Sequence, residues 1–180
     1  MYKRQIDGVE KVDAFQSITG EVPSVKDPGT DKPMSLSIGG ISKDQMALIN
    51  RDIEKGHATY EELNSGDKVI ATGYILANYP EIKIGDTLTF KFFDGDHRTF
   101  EKDMTIIGGG SFAQSVTNFD NFLMSNEAIK KLSKNNLTYY VNIKAAKGKI
   151  KTVQSAIENI EEGNEPVSYT HLTLPTNSRV

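Results

Sequence analysis

The chain has 180 residues, 37% of them hydrophobic, with 21 Lys+Arg against 24 Asp+Glu and a net charge of −3. Without cysteine it has no disulfide framework and no thiolate metal site. The acidic balance disfavours a nucleic-acid partner, which asks for a basic face, and no apolar run approaches the roughly 20 residues that span a bilayer.

In chain order, Met1-Tyr2-Lys3-Arg4-Gln5 looks like the translation of a transposon end used to tag DNA for sequencing. At the other end, Val167–Thr176 looks like the reverse complement of that end, read into the adjoining adapter. Residues 1–5 and 167–180 are therefore expected to be foreign, and 6–166 an internal piece of a longer gene. Setting aside Lys3, Arg4 and Arg179 leaves 18 bases against 24 acids, a net charge of −6. A piece cut at both ends carries no evidence on whether membrane segments flank it.

Ile6–Ile41 is poorly patterned, and Pro23, Pro28, Gly29 and Pro33 predict extended pieces and turns. Met34, Leu36 and Ile38 alternate as a short strand. Ser42 to Gln45 fits a capping box. Met46, Ile49 and Ile53 then follow at helical spacing, predicting a helix over 43–55 with Gly56 as its stop. Ser65-Gly66-Asp67 reads as a turn and Lys68–Ala71 as a short buried strand. Thr72 is placed to cap a short helix over 73–79, which ends before Pro80.

The run Lys83-Ile84-Gly85-Asp86-Thr87-Leu88-Thr89-Phe90 is a turn joined to a strand. Gly85 can take a positive φ at little cost, and Asp86 can accept hydrogen bonds from N–H groups of its own turn. Leu88, Phe90 and Phe92 share one face of the strand, with Thr87, Thr89 and Lys91 on the other. Asp94-Gly95-Asp96 predicts a tight hairpin whose return strand is Arg98–Ile107. Gly108–Gly110 is expected to end that strand. Ser111–Asn121 reads as a loop and Phe122–Met124 as a short strand. Ser125 can cap a helix running to Lys134. Thr138–Ala145 is a strand, and Gly148–Glu162 is a helix with Ile150, Val153, Ile157 and Ile160 as its apolar stripe. Because a further strand would complete this β–α unit, part of that stripe is expected to be exposed.

Candidate chemistry is sparse. Gly108, Gly110 and Ala113 match the G-x-G-x-x-A form of a dinucleotide fingerprint, but that motif needs a parallel strand before it and a helix behind it. Asp94-Gly95-Asp96-His97 lacks the spaced oxygens and distal Glu of a calcium loop, and reads as a hairpin tip. His57 reads as a solvated loop residue, and His171 lies in the foreign tail. Two distant native histidines give little support to a triad or a zinc site. Glu61-Glu62 and Glu158/Glu161/Glu162 are acidic clusters of the kind found on solvated faces. A hydrolase, with Ser111 as its test residue, lacks a serine and a lysine base on matching strands ahead of the hairpin. No catalytic, cofactor-binding or metal residue is assigned, and the chain is not expected to be an enzyme. Gly85 and Asp86 stand as a structural turn.

The ordered set Ser65–Ala71, Ile82–Thr89, Met104–Gly108, Phe122–Lys134 and Tyr140–Lys144 resembles the extracytoplasmic domain of FtsX-like and MacB-like ABC transporter permeases, over most of Ile38–Ile160. The resemblance implies an α+β fold of two lobes. One lobe, about 7–56 plus 122–166, is built of βαβ-type units; the other, about 57–121, is β-rich with an antiparallel hairpin. It also implies a place on the outer side of the cell membrane. The implied partners are an ABC ATP-binding subunit reached through absent membrane helices, a second permease copy, and an external protein or lipid-linked substrate. The role implied is to couple ATP-driven motion to export, lipid or lipoprotein release, or activation of an external partner. A soluble β-rich binding domain without a transporter is the alternative.

Overall fold

The structure is a computed structural model, and it describes residues 6–94, 98–113, 120–133 and 138–161. The fold is α+β, as expected. Its chain divides into two compact units, Gln16–Leu137 on one hand and Met1–Phe15 with Thr138–Val180 on the other.

In the larger unit the strands close on themselves. β1 (Val9–Lys26) pairs antiparallel with β2 (Pro33–Ile41) from Ser17↔Gly39 to Lys26↔Pro33. β2 runs parallel to β7 (Phe122–Ser125), which pairs antiparallel with β4 (Lys68–Thr72). β4 lies parallel to β6 (Arg98–Gly110), and β6 forms a hairpin with β5 (Thr87–Asp94). β5 then returns to β1 at Thr19↔Phe93, Gly20↔Phe92 and Glu21↔Lys91. Six strands thus form a hydrogen-bonded ring, with β3 (Ile53–Gly56) added to the outer side of β6.

Period-2 alternation explains the interior of the ring. Ile18 and Val22 of β1 face the same core as Met34, Leu36 and Ile38 of β2, Phe90 and Phe92 of β5, and Met104 and Ile106 of β6. The rings of Phe90 and Phe122 lie 5.0 Å apart at a tilted angle. Ile75, Tyr79 and Ile82 join this core from α3 (Gly73–Asn78) and the residues after it. Ala128 and Ile129 join it from α4 (Asn126–Leu132). A second core lies on the other face of β4 and β7. There Ile70 and Leu123 meet Met46 and Ile49 of α1 (Met46–Asp52) and Leu63 of α2 (Tyr60–Leu63). β4 and β7 are therefore buried on both faces, which explains their unbroken apolar runs.

Several expectations change. The stretch 9–26 is one long strand rather than extended pieces and turns. The helix predicted over 43–55 is a single 3₁₀ turn (Lys43–Gln45) and α1, and it stops at Asp52 because Ile53–Gly56 pairs with β6. Gly108–Gly110 are the last three residues of β6 rather than an exit after Ile107, and they are paired with β3 on one side and β4 on the other. Glycine is required there by close approach. A Cβ on Gly110 would meet the Asp52 carbonyl oxygen at 2.1 Å, and one on Gly109 would meet Leu76 Cδ1 at 2.7 Å.

In the smaller unit, the start of β1 carries β8 (Thr138–Ala145) beside it, and Ala146 N donates to Gly8 O at 2.7 Å. The ion pairs Glu10–Lys144 (2.9 Å) and Asp7–Lys149 (3.1 Å) hold the same neighbours. α5 (Ile150–Glu161) buries Val153 fully, while Ile150 and Ile157 stay partly exposed, as expected of an incompletely covered stripe.

Candidate functional site

The turn singled out from sequence adopts the geometry expected of it. Gly85 has φ +99°, a value L residues resist. Asp86 Oδ2 accepts from Lys83 N at 2.8 Å, and Asp86 N donates to Lys83 O at 3.1 Å. Two further bonds, Gly85 N to Ile106 O (2.7 Å) and Ile106 N to Asp86 O (2.9 Å), tie the turn to β6. It therefore starts β5 and fixes the register of the hairpin.

The other candidates separate in space and role. Gly108 and Gly110 lie within a strand held on both sides, so the strand–turn–helix setting of a dinucleotide fingerprint is not met at these glycines. The tip 95–97 and the residues 114–119 after Ala113 lie outside the described residues. His57 is exposed and its N–H donates to Ile107 O. Ser111 is exposed, and its N–H donates to Glu54 Oε1 at 3.2 Å.

Glu61 and Glu62 open α2. Glu61 pairs with Lys43, while Glu62 caps Thr59 and pairs with Lys68. Backbone hydrogen bonding and Lys43 hold the Glu61 carboxyl below its ordinary range, and the Thr59 hydroxyl and N–H do the same for Glu62. Acid–base chemistry by paired carboxylates needs pKa values pushed apart, and these move together. Glu158 is exposed and accepts from Gln154. Glu161 and Glu162 lie outside the described side chains.

The best-organised polar cluster was missed by sequence reading. Asp120 and Asn121 lead into β7 and bridge three strands. Asn121 N donates to Ser37 O at 3.0 Å, Ser37 N donates back to Asn121 Oδ1 at 2.9 Å, and both Thr72 N and Thr72 Oγ1 donate to Asn121 O at 3.0 Å. Thr72 thus spends its hydroxyl on Asn121 rather than on capping α3. Ser17 Oγ of β1 donates to Asp120 Oδ1 at 2.9 Å. Burial pushes the Asp120 carboxyl up to about 6, while the Ser17 and Ser37 hydroxyls pull it back. A sequence signal for this cluster hardly exists, because Ser17 and Asp120 stand 103 residues apart. Farther along, Ser125 Oγ accepts from Ala128 N to cap α4 and donates to Asn64 Oδ1, both at 3.0 Å. Among the described residues, no group of three or more His, Cys, Asp or Glu is placed to hold a metal, and no helix is long and apolar enough to cross a membrane.

No family model and no curated protein sequence matches the chain. Solved structures do. The extracellular domain of the noncanonic ABC-type transporter YknZ from Gram-positive bacteria superposes with a TM-score of 0.51 at 16% identity, over 90% of this chain and 81% of that one. The periplasmic region of MacB from Actinobacillus actinomycetemcomitans gives a TM-score of 0.49 at 16% identity, over 88% and 69%. The chain is thus similar in fold to the extracellular domain of YknZ.

Proposed function

We propose that the chain is the extracytoplasmic domain of an FtsX-like or MacB-like ABC transporter permease. The observation that carries this reading is the likeness to the YknZ extracellular domain over 90% of the chain. The ordered motifs from Ser65 to Gly108 support it independently. In this reading the domain is a binding and mechanical module with no chemistry of its own. An ATP-binding subunit supplies motion through membrane helices outside this chain. The domain passes that motion to a substrate being exported, to a lipid or lipoprotein being released, or to an external partner being activated.

The test is the full gene. Sequencing the genomic DNA past residue 166 is expected to show a stretch of about 20 apolar residues soon after the domain. Co-expression of the complete protein with the ATP-binding subunit encoded beside it is expected to yield a membrane complex. Flanking DNA without any such apolar stretch overturns the proposal. The non-catalytic part is tested separately by generic ester and peptide substrates. Turnover abolished in Ser111→Ala would overturn it.

A further inference from the structure

We propose that Asp120 is a proton-operated latch on the seam where β1, β2 and β4 meet: with its carboxyl protonated the seam is held shut, and loss of the proton loosens it. The geometry puts a carboxyl where a charge is poorly served. Asp120 Oδ2 lies against β2 so closely that a Cβ on Gly39 would sit 2.2 Å from it. Only glycine leaves that space. The groups that reach the carboxyl are hydroxyls, Ser17 of β1 and Ser37 of β2.

The charged residues on the outer faces of the packed strands are engaged elsewhere. Glu21 of β1 pairs with Lys91 at 2.8 Å, and Lys68 of β4 pairs with Glu62 at 3.5 Å. Glu21 is four residues beyond Ser17 on its strand, about 13 Å away, and Lys68 is at the opposite end of β4 from Thr72. β2 and β7 carry no ionisable side chain. Among the described residues, no salt bridge reaches Asp120.

A half-buried carboxylate without a cation must draw in water or move outward. A neutral carboxyl can remain on Gly39 and can donate to a neighbouring hydroxyl. The next residue carries the consequence. Asn121 fastens Ser37 to Thr72 through the backbone and side-chain bonds described above. Outward movement of Asp120 therefore pulls on the bonds that join β2 to β4 at the start of β7. The proposal concerns the larger unit alone and stands or falls apart from the transporter reading.

The experiment is a carboxyl NMR titration of the full chain from pH 4 to 8, alongside amide hydrogen exchange corrected for intrinsic rates. The Asp120 carboxyl is expected to titrate near pH 6. Protection of the Asn121 and Thr72 amides is expected to fall about tenfold or more as pH rises through that midpoint. In Asp120→Asn, which keeps a neutral side chain at the same place, protection should stay high and flat with pH. A midpoint below about 4.5, close to an ordinary carboxyl, overturns the latch. So does protection that ignores the titration, or an Asp120→Asn variant with the wild-type pH profile. Should the variant fail to fold, the wild-type titration and exchange data decide the question alone.

Discussion

Replacing Gly85 by alanine isolates the cost of one backbone angle. The residue sits at φ +99°, and a Cβ built there meets nothing within 4 Å. No clash confuses the result. Holding an L residue on that side of the map costs about 1–2 kcal/mol. The alanine also narrows the unfolded ensemble, which returns about 0.4–1 kcal/mol. The net loss is therefore about 1 kcal/mol. Valine, branched at Cβ, should lose more, and asparagine, which tolerates positive φ, should lose less. With a urea slope of about 2 kcal/mol per M, the alanine midpoint falls by about 0.5 M. Equilibrium unfolding in urea measures this directly, and the order Gly, Asn, Ala, Val is the signature. An alanine midpoint equal to wild type, at an unchanged slope, would refute the argument that this turn is held at positive φ by its bonds to Ile106.

Phe90→Ala empties the centre of the ring, where Phe90 is fully buried against Phe92 and Phe122. Its cost should be about 3–5 kcal/mol, seen as a fall in Tm on the order of 10 °C or more. Gly110→Ala places a methyl 2.1 Å from the Asp52 carbonyl oxygen. Because the obstacle is backbone, β3 should part from β6, and faster amide exchange at Ile53–Gly56 is the expected readout. Stability should also carry the mark of Asp120. Its folded pKa of about 6 lies above the ordinary 3.8, so its stabilising effect is complete below about pH 4 and is lost as pH rises through 6. The ceiling is roughly 3 kcal/mol for two pKa units. The difference in unfolding free energy between wild type and Asp120→Asn, measured at pH 5 and pH 7, should shift in favour of wild type at pH 5.

What the sequence displays is local. The Gly85-Asp86 turn, the alternation through Phe90 and Met104, and the Ser125 cap each depend on residues within a few positions of one another. What it hides depends on distant partners. β1 was obscured because Pro23 interrupts it and because one of its inward positions, Gly20, has no side chain; a Cβ there would come 2.2 Å from the Lys91 carbonyl oxygen. Ile53 fits a helical stripe with Ile49, yet β6 offers it strand hydrogen bonds, and tertiary pairing overrides the local period. The glycines at 108–110 look like a flexible exit until the backbones of β3 and β4 on either side are known. Asp120 looks like any polar loop residue until Ser17 and Gly39 are brought beneath it.

Closure of the ring bears on how this domain can meet a partner. A strand whose two edges are both paired cannot accept another strand. Each of the six ring strands has a neighbour on both sides over part of its length, and strand addition at those stretches would require breaking a pair first. Among the described residues the β1–β5 contact is short, three residue pairs against eight for β5–β6. β3 is different, since it is attached on one side to β6. Its exposed Glu54 and Lys55 put charge on a short edge, a combination that discourages chance pairing. Recognition by this unit therefore falls to side chains and connections. Exposed Leu48 on α1, Tyr74 on α3 and Phe93 near the end of β5 are the large apolar groups of this unit that such contacts would use first.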